Sequence, residues 1–240
     1  MDTTGIPAPI SLVTGANRGI GRETARQLAE LGHTVLLCAR DPKAAEGAAA
    51  DLSRSPGGRG TVLPRTLDVT DAAGVRELAR SVEAEFGRLD VLINNAATNY
   101  DTGRRAVSVD LDEVRRTMET NLYGAWQMAQ AFVPLLRRSA HPRIVNVSSE
   151  SGSLTSMGGG TPSYSVSKAA LNALTRTLAG ELRTDGVLVN AVCPGWVATD
   201  MGGAGGAPVA TGAASVLWAA TLPDNGPTGG FFRHGRPLAW

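Results

Sequence analysis

Short apolar runs alternate with longer stretches of helical spacing along this chain. The runs fall at 10–14, 34–38, 62–67, 91–94, 144–148 and 188–193, with a shorter one near 230–233. Most are continuous rather than alternating, the pattern of strands covered on both faces. Between them, residues 19–31 carry Ile20, Ala25, Leu28 and Leu31 toward one face. Residues 111–136 repeat Val114, Met118, Leu122, Ala125, Ala129, Val133 and Leu136 at spacings of three and four, which predicts one long helix. Another is expected over 165–183, and Asp41-Pro42 reads as an N-cap followed by proline at the first helical position. This alternation predicts an α/β fold, a doubly wound parallel sheet of about seven strands with helices on both faces. No linker or internal repeat cuts it, so residues 1–240 are expected to form a single domain. Two stretches rich in glycine and small residues, 151–162 and 201–212, read as loops beside the motifs described next.

Composition narrows the function classes. A chain this long buries a sufficient core without disulfides or a structural metal. A net charge of +1 gives no field that would draw nucleic acid or an anionic membrane. No apolar run approaches the roughly 20 residues of a membrane span, and the first ten residues lack the basic-then-apolar pattern of a secretory leader. A cytoplasmic setting is therefore expected. Cys38 and Cys193 stand far apart without a CxxC or Cys/His cluster, so they are expected to be buried thiols, and no metal site is predicted.

The first run is followed by Thr14-Gly15-Ala16-Asn17-Arg18-Gly19-Ile20-Gly21, opening a helix. Glycines let such a turn bend sharply and approach a pyrophosphate, while the helix N-terminus offers free N–H groups to the anion. The spacing is not the common Gly-x-Gly-x-x-Gly. In NAD sites a carboxylate at the end of the second strand holds the ribose 2′-hydroxyl. Here that strand ends Cys38-Ala39-Arg40, and Asp41 is better used as a helix cap. Arg18 and Arg40 suit a 2′-phosphate, so NADP(H) is the expected cofactor.

Tyr164 and Lys168 stand one turn apart on a predicted helix. A nearby ammonium would lower the phenol pKa and make Tyr164 a usable acid–base group. Asn146-Val147-Ser148-Ser149 and Asn94-Asn95-Ala96-Ala97 end strands at the carboxyl edge, where open α/β sheets bind ligands. Asn121 interrupts an otherwise amphipathic helix.

Taken in order, Thr14 to Gly21, Asp68, Asn94 to Ala97, Asn121, Ser149, Tyr164, Lys168 and Pro194-Gly195 resemble the motif set of the short-chain dehydrogenase/reductase family, whose fold is of the Rossmann type. The resemblance implies that Tyr164 is the proton donor, that Ser149 orients the substrate carbonyl, and that Lys168 lowers the Tyr164 pKa and holds the nicotinamide ribose. It implies that Asn121 fixes a water linking Lys168 to solvent. Gly15, Gly19 and Gly21 would cradle the pyrophosphate, with Asn17 and the Ile20 backbone nearby. Asp68 and Val69 would contact the adenine, and Asn94 the adenosine ribose, with Ala96 a further cofactor contact. Pro194, Gly195, Val197 and Thr199 would position the nicotinamide. Ala97 departs from the family's glycine, and the stretch from Ser149 to Tyr164 is slightly longer than usual. The segment from Pro194 to Met201 is similar to that of carbonyl reductases, and the family's association modes imply a homodimer or homotetramer.

The expected activity is reduction of a small-molecule ketone or aldehyde. The same residues would serve oxidation of a secondary alcohol, and a dinucleotide-binding redox sensor is a third reading. A hydrolase is disfavoured, because no Gly-x-Ser-x-Gly elbow is present and His33, His141 and His234 have no evident serine or acid partner. Substrate walls are expected from 98–100, 150–157, Trp196, Met201 and Trp240, and Glu150 is a candidate reader of a polar or cationic substrate group.

Overall fold

Neighbouring residues of each central strand enter opposite cores. Leu12, Leu36, Leu92 and Ile144 point into one apolar cluster, and Val13, Leu37, Ile93 and Val145 into the other. These paired burials explain why the strands read as continuous apolar runs. The computed structural model describes residues 8–54 and 59–240, and its strands make one sheet in the order β3-β2-β1-β4-β5-β6-β7-β8. They are β1 (Ile10–Val13), β2 (Thr34–Ala39), β3 (Thr61–Thr66), β4 (Val91–Asn94), β5 (Arg143–Val147), β6 (Leu188–Val192), β7 (Phe231–Arg233) and β8 (Arg236–Pro237). All pairings are parallel except that of β7 with β8. The sheet therefore has eight strands rather than about seven; the extra two-residue strand is exposed and too short to leave a pattern.

Helices cover both faces. α1 (Gly19–Glu30), α2 (Pro42–Ser53) and α7 (Val209–Ala220) pack on one side through Leu28, Ala45 and Val216. α3 (Ala72–Phe86), α5 (Ala125–Leu136) and α6 (Pro162–Glu181) pack on the other through Val75, Phe132 and Leu171. Burying one such large side chain stabilises the fold by about 1.5–3 kcal/mol. Asp41 caps α2 as its sequence suggests, its carboxylate accepting the Lys43 N–H at 2.9 Å. Cys38 and Cys193 are both free and buried, and His33 is buried with Nδ1 2.7 Å from the Ser11 hydroxyl. Among the described residues no helix is long and apolar enough to cross a membrane.

Three expectations change. The helix over 111–136 is broken into α4 (Leu111–Met118), a π-helical turn (Glu119–Gly124) and α5. A π turn keeps the side-chain spacing nearly helical, so periodicity alone does not reveal it. The small-residue stretch 201–212 is not loop throughout, since α7 starts at Val209 and presses small residues against α1. α6 begins at Pro162, before the expected residue 165, for a reason that lies in the loop after β4.

Candidate active site

Strand order reverses between β1 and β4, and loops leaving the carboxyl ends of these two strands diverge. Such a switch point opens a crevice. A cavity of about 400 Å³ lies there, reaching from the turn after β1 to Tyr164 and Lys168.

The turn after β1 is built for close approach. Gly15 has φ +62° and Gly19 φ +55°, conformations that favour glycine. A Cβ on Gly21 would lie 2.6 Å from the Gly15 carbonyl oxygen and collide with the Asn95 amide. The Asn95 Nδ2 donates to the carbonyls of Thr14 at 2.8 Å and Gly15 at 3.0 Å. The Thr14 hydroxyl in turn accepts the N–H groups of Asn95 and Ala96, each at 3.0 Å. Asn95 thus locks the glycine turn onto the end of β4. Arg18, the residue before α1, makes no side-chain cap, and the first turn carries no acidic residue. The free N–H groups of Gly19, Ile20 and Gly21 therefore remain available to an anion, and the turn fits the pyrophosphate of a dinucleotide.

Asn17, Arg18, Arg40, Asp68 and Val69 line the adjoining part of the cavity. Asp68 accepts the Thr70 N–H and hydroxyl at 2.9 and 2.8 Å, which fixes this corner. Arg40 is exposed at the end of β2, where the carboxylate of Asp41 is already spent on its helix. Arg18 is held by Asp200 at 2.7 Å.

At the other end, the Lys168 ammonium donates to the Val147 carbonyl at 2.8 Å and stands 5.5 Å from the centre of the Tyr164 ring. Both residues are buried. Burial pushes the Tyr164 phenol well above its ordinary value, outweighing the hydrogen bond from Ser149 that favours the phenolate. Burial also lowers Lys168 from 10.5 to about 8. In this structure burial outweighs every other influence on the Tyr164 phenol, and the Lys168 ammonium is turned to the Val147 carbonyl. Ser149 also accepts the Ser151 N–H at 3.2 Å, which holds its hydroxyl at the end of β5. Tyr100 meets Tyr164 edge to face, with ring centres 5.0 Å apart.

Several expected residues stand behind the cavity wall. Asn94 is buried outside the cavity lining, its Nδ2 donating to Asn146 Oδ1 at 2.9 Å in the neighbouring strand. Asn121 sits in the π turn with both amide hydrogens used, on Ser167 Oγ at 3.0 Å and the Thr98 carbonyl at 3.2 Å. Its Oδ1 accepts the Thr98 N–H at 2.8 Å. The side chain therefore braces α6 against the loop after β4. Val197 is buried and Gly195 lies outside the lining, whereas Ala96, Pro194 and Thr199 border the cavity. Glu150 is paired with Arg233 and so is not a free reader of a cationic group; the two come together from distant sequence positions. Sequence reasoning missed Asn95 and Asp200 as cavity residues, whereas Thr98, expected as a substrate wall, does line the cavity. Asn95 belongs to a motif already singled out, while Asp200 follows Thr199 with no chemical signal of its own. Among the described residues, no group of three His, Cys, Asp or Glu side chains is placed to hold a metal ion.

A family model described as short chain dehydrogenase matches residues 9–207. Short-chain dehydrogenase/reductase 1 of Saponaria officinalis is 34% identical, with 92% of this chain and 93% of that protein covered. The (+)-neomenthol dehydrogenase of Capsicum annuum is 32% identical over 92% of this chain and 94% of its own. Among solved structures, the NADPH-bound carbonyl reductase from chicken fatty liver superimposes with a TM-score of 0.85 at 31% identity, covering 98% of this chain and all of the other.

Proposed function

Because the chain belongs to the short-chain dehydrogenase family, we propose that it is an NADPH-dependent reductase of a ketone or aldehyde carbonyl, with Tyr164 as proton donor. The observation that carries this reading is geometric: Tyr164, with the Lys168 ammonium 5.5 Å from its ring centre, lines one end of a cavity whose far end is a glycine turn with free N–H groups.

NADPH supplies the hydride when bound. Gly15, Gly19, Ile20 and Gly21 would hold its pyrophosphate, Asp68 and Val69 its adenine, and Lys168 the ribose nearest the chemistry. Arg18 and Arg40 would face the 2′-phosphate, and the engagement of Asp41 in its cap leaves no carboxylate there to prefer a free hydroxyl. The NADPH in the chicken carbonyl reductase structure supports the same choice. Ser149 orients the carbonyl and Tyr164 passes its proton to the oxygen. Tyr100, Trp196 and Met201 present exposed apolar surface, and Met201 lines the cavity, which favours an apolar carbonyl compound. The reading extends to one catalytic unit working as a cytoplasmic homodimer or homotetramer, tested by elution volume and cell fractionation.

The deciding experiment follows loss of reduced-nicotinamide absorbance with NADPH and NADH over a panel of aryl ketones, dicarbonyls and aldehydes. Turnover with NADPH that falls about 10²–10⁴-fold in Tyr164→Phe is expected. Faster turnover with NADH, or a Tyr164→Phe enzyme as active as the wild type, overturns the reading.

A further inference from the structure

The N-terminus of α6 does not cap itself. Thr161, the residue at its N-cap, makes no side-chain bond to the helix backbone, because its hydroxyl pairs with Ser165 Oγ at 2.8 Å. Pro162 has no N–H to offer. The Ser165 N–H reaches the Thr161 carbonyl at 2.9 Å, the first helical bond. Two orphan donors remain in the first turn, the N–H groups of Ser163 and Tyr164, in a place closed to water.

Both are taken by one side chain from elsewhere. Asp101, in the loop after β4, accepts the Ser163 N–H through Oδ2 at 2.9 Å and the Tyr164 N–H through Oδ1 at 3.1 Å. Asp101 is only 5% exposed, unusual for an aspartate unless it is paired. Burial pulls its carboxyl pKa up, and the hydrogen bonds from Ser163 and Tyr164 more than reverse this, so it stays ionised at the positive end of the helix. The preceding residue grips the same tyrosine by its ring, through the edge-to-face contact of Tyr100 with Tyr164. Asn99 begins the arrangement with φ +58°, a left-handed turn that asparagine tolerates, anchored by Nδ2 bonds to Thr117 Oγ1 at 2.9 Å and Glu113 Oε1 at 3.1 Å.

We propose that Asp101 is a positioning residue for the reaction: by capping α6 across the cavity wall it fixes the Tyr164 backbone, while Tyr100 fixes the ring, so that the phenol meets its substrate in one place. The inference rests on Tyr164 being the proton donor. Asparagine at 101 keeps one oxygen acceptor and turns an amide donor toward the second N–H, so Asp101→Asn unseats one of the two bonds with almost no change of volume. Asp101→Ala removes both.

The test compares these two variants with Leu178→Ala, which opens a cavity near the other end of α6 without touching its first turn. Under saturating NADPH, kcat falls about tenfold in Asp101→Asn and about a hundredfold in Asp101→Ala, the scale of a reacting group displaced by about an ångström. KM and the NADPH Kd stay near wild type. Leu178→Ala lowers Tm and leaves kcat at the assay temperature in place. Amide hydrogen exchange at Ser163 and Tyr164, which needs no turnover, quickens in the Asp101 variants and not in Leu178→Ala. A kcat no lower than that of Leu178→Ala, a loss carried by KM instead of kcat, or unchanged exchange at both amides overturns the proposal. If Asp101→Ala does not fold, Asp101→Asn decides alone. A wild-type protein that reduces no carbonyl overturns the proposed function, and the exchange measurement then decides the capping role by itself.

Discussion

The guanidinium of Arg18 meets the carboxylate of Asp200 at 2.7 Å across the mouth of the cavity, joining the glycine turn to the loop after β6. The two residues are 182 positions apart in sequence. Both side chains are 73% exposed, so the pair is screened and contributes within about 0–1 kcal/mol. A 2′-phosphate bound by Arg18, as proposed, would compete with Asp200 for the same guanidinium, and a pair this weak would yield to it.

Asp200→Asn is therefore expected to tighten NADPH binding by up to about fivefold, the release of a pair of this strength, with little effect on NADH. Arg18→Ala and Arg40→Ala are each expected to weaken NADPH about tenfold relative to NADH, or about 1.4 kcal/mol. Fluorescence titration of both nucleotides against each variant measures this. Equal losses for NADPH and NADH would remove both arginines from 2′-phosphate recognition.

Lys168 gives a signed pH prediction. Its folded pKa of about 8 lies below the 10.5 of an ordinary lysine. Between these values the unfolded chain binds more protons than the folded one, so this group's contribution to stability rises as pH increases from about 8 toward 10.5. Lys168→Met lacks that rise and is expected to melt higher than wild type at neutral pH, because it removes the cost of burying an ammonium. The same substitution is expected to lower kcat about 10²–10⁴-fold. In the wild type, kcat/KM is expected to fall as pH passes about 8 and the ammonium is lost. Melting curves and rate profiles across this range check both limbs.

Gly21→Ala places a methyl group 2.6 Å from the Gly15 carbonyl and against the Asn95 amide. The turn must shift, at a cost of about 1–3 kcal/mol, and the N–H groups it presents move with it. The expected outcome is a lower denaturant midpoint together with weaker binding of both nucleotides.

Glu150→Gln tests the engagement of this carboxylate with Arg233. Since the pair is partly exposed, stability is expected to change by about 1 kcal/mol or less, and KM should move equally for cationic and neutral carbonyl compounds. A selective rise in KM for cationic substrates would restore Glu150 as a substrate contact.

Most of the fold was legible because each strand buries both faces and each helix buries a stripe, and these requirements print a period into the chain. Asp41 was identifiable as a cap from its neighbour Pro42, since the motif and the bond it makes are local. The π turn at Glu119–Gly124 was not, because it changes backbone hydrogen bonding while leaving the apolar spacing nearly intact. α7 was hidden by glycine and alanine that serve close packing against α1. Asn121 stood out as a polar residue inside an amphipathic helix and Asn94 as the end of a strand motif, and their amides join the post-β4 loop to α6 and β4 to β5. A polar residue in an apolar element signals that it has a partner, without saying which.

The sequence by itself determined the alternation of strands and helices, the glycine turn at the first crossover and the placement of Tyr164 one helical turn from Lys168. These follow from periodicity, chain stiffness and local hydrogen bonding. Tertiary structure alone decided that Asp101 caps the helix of Tyr164, that Asp200 holds Arg18, that Arg233 neutralises Glu150, and that burial raises the phenol while lowering the lysine. Each of these depends on which groups lose water and which meet across long stretches of chain, and desolvation and through-space charge leave no period in a sequence.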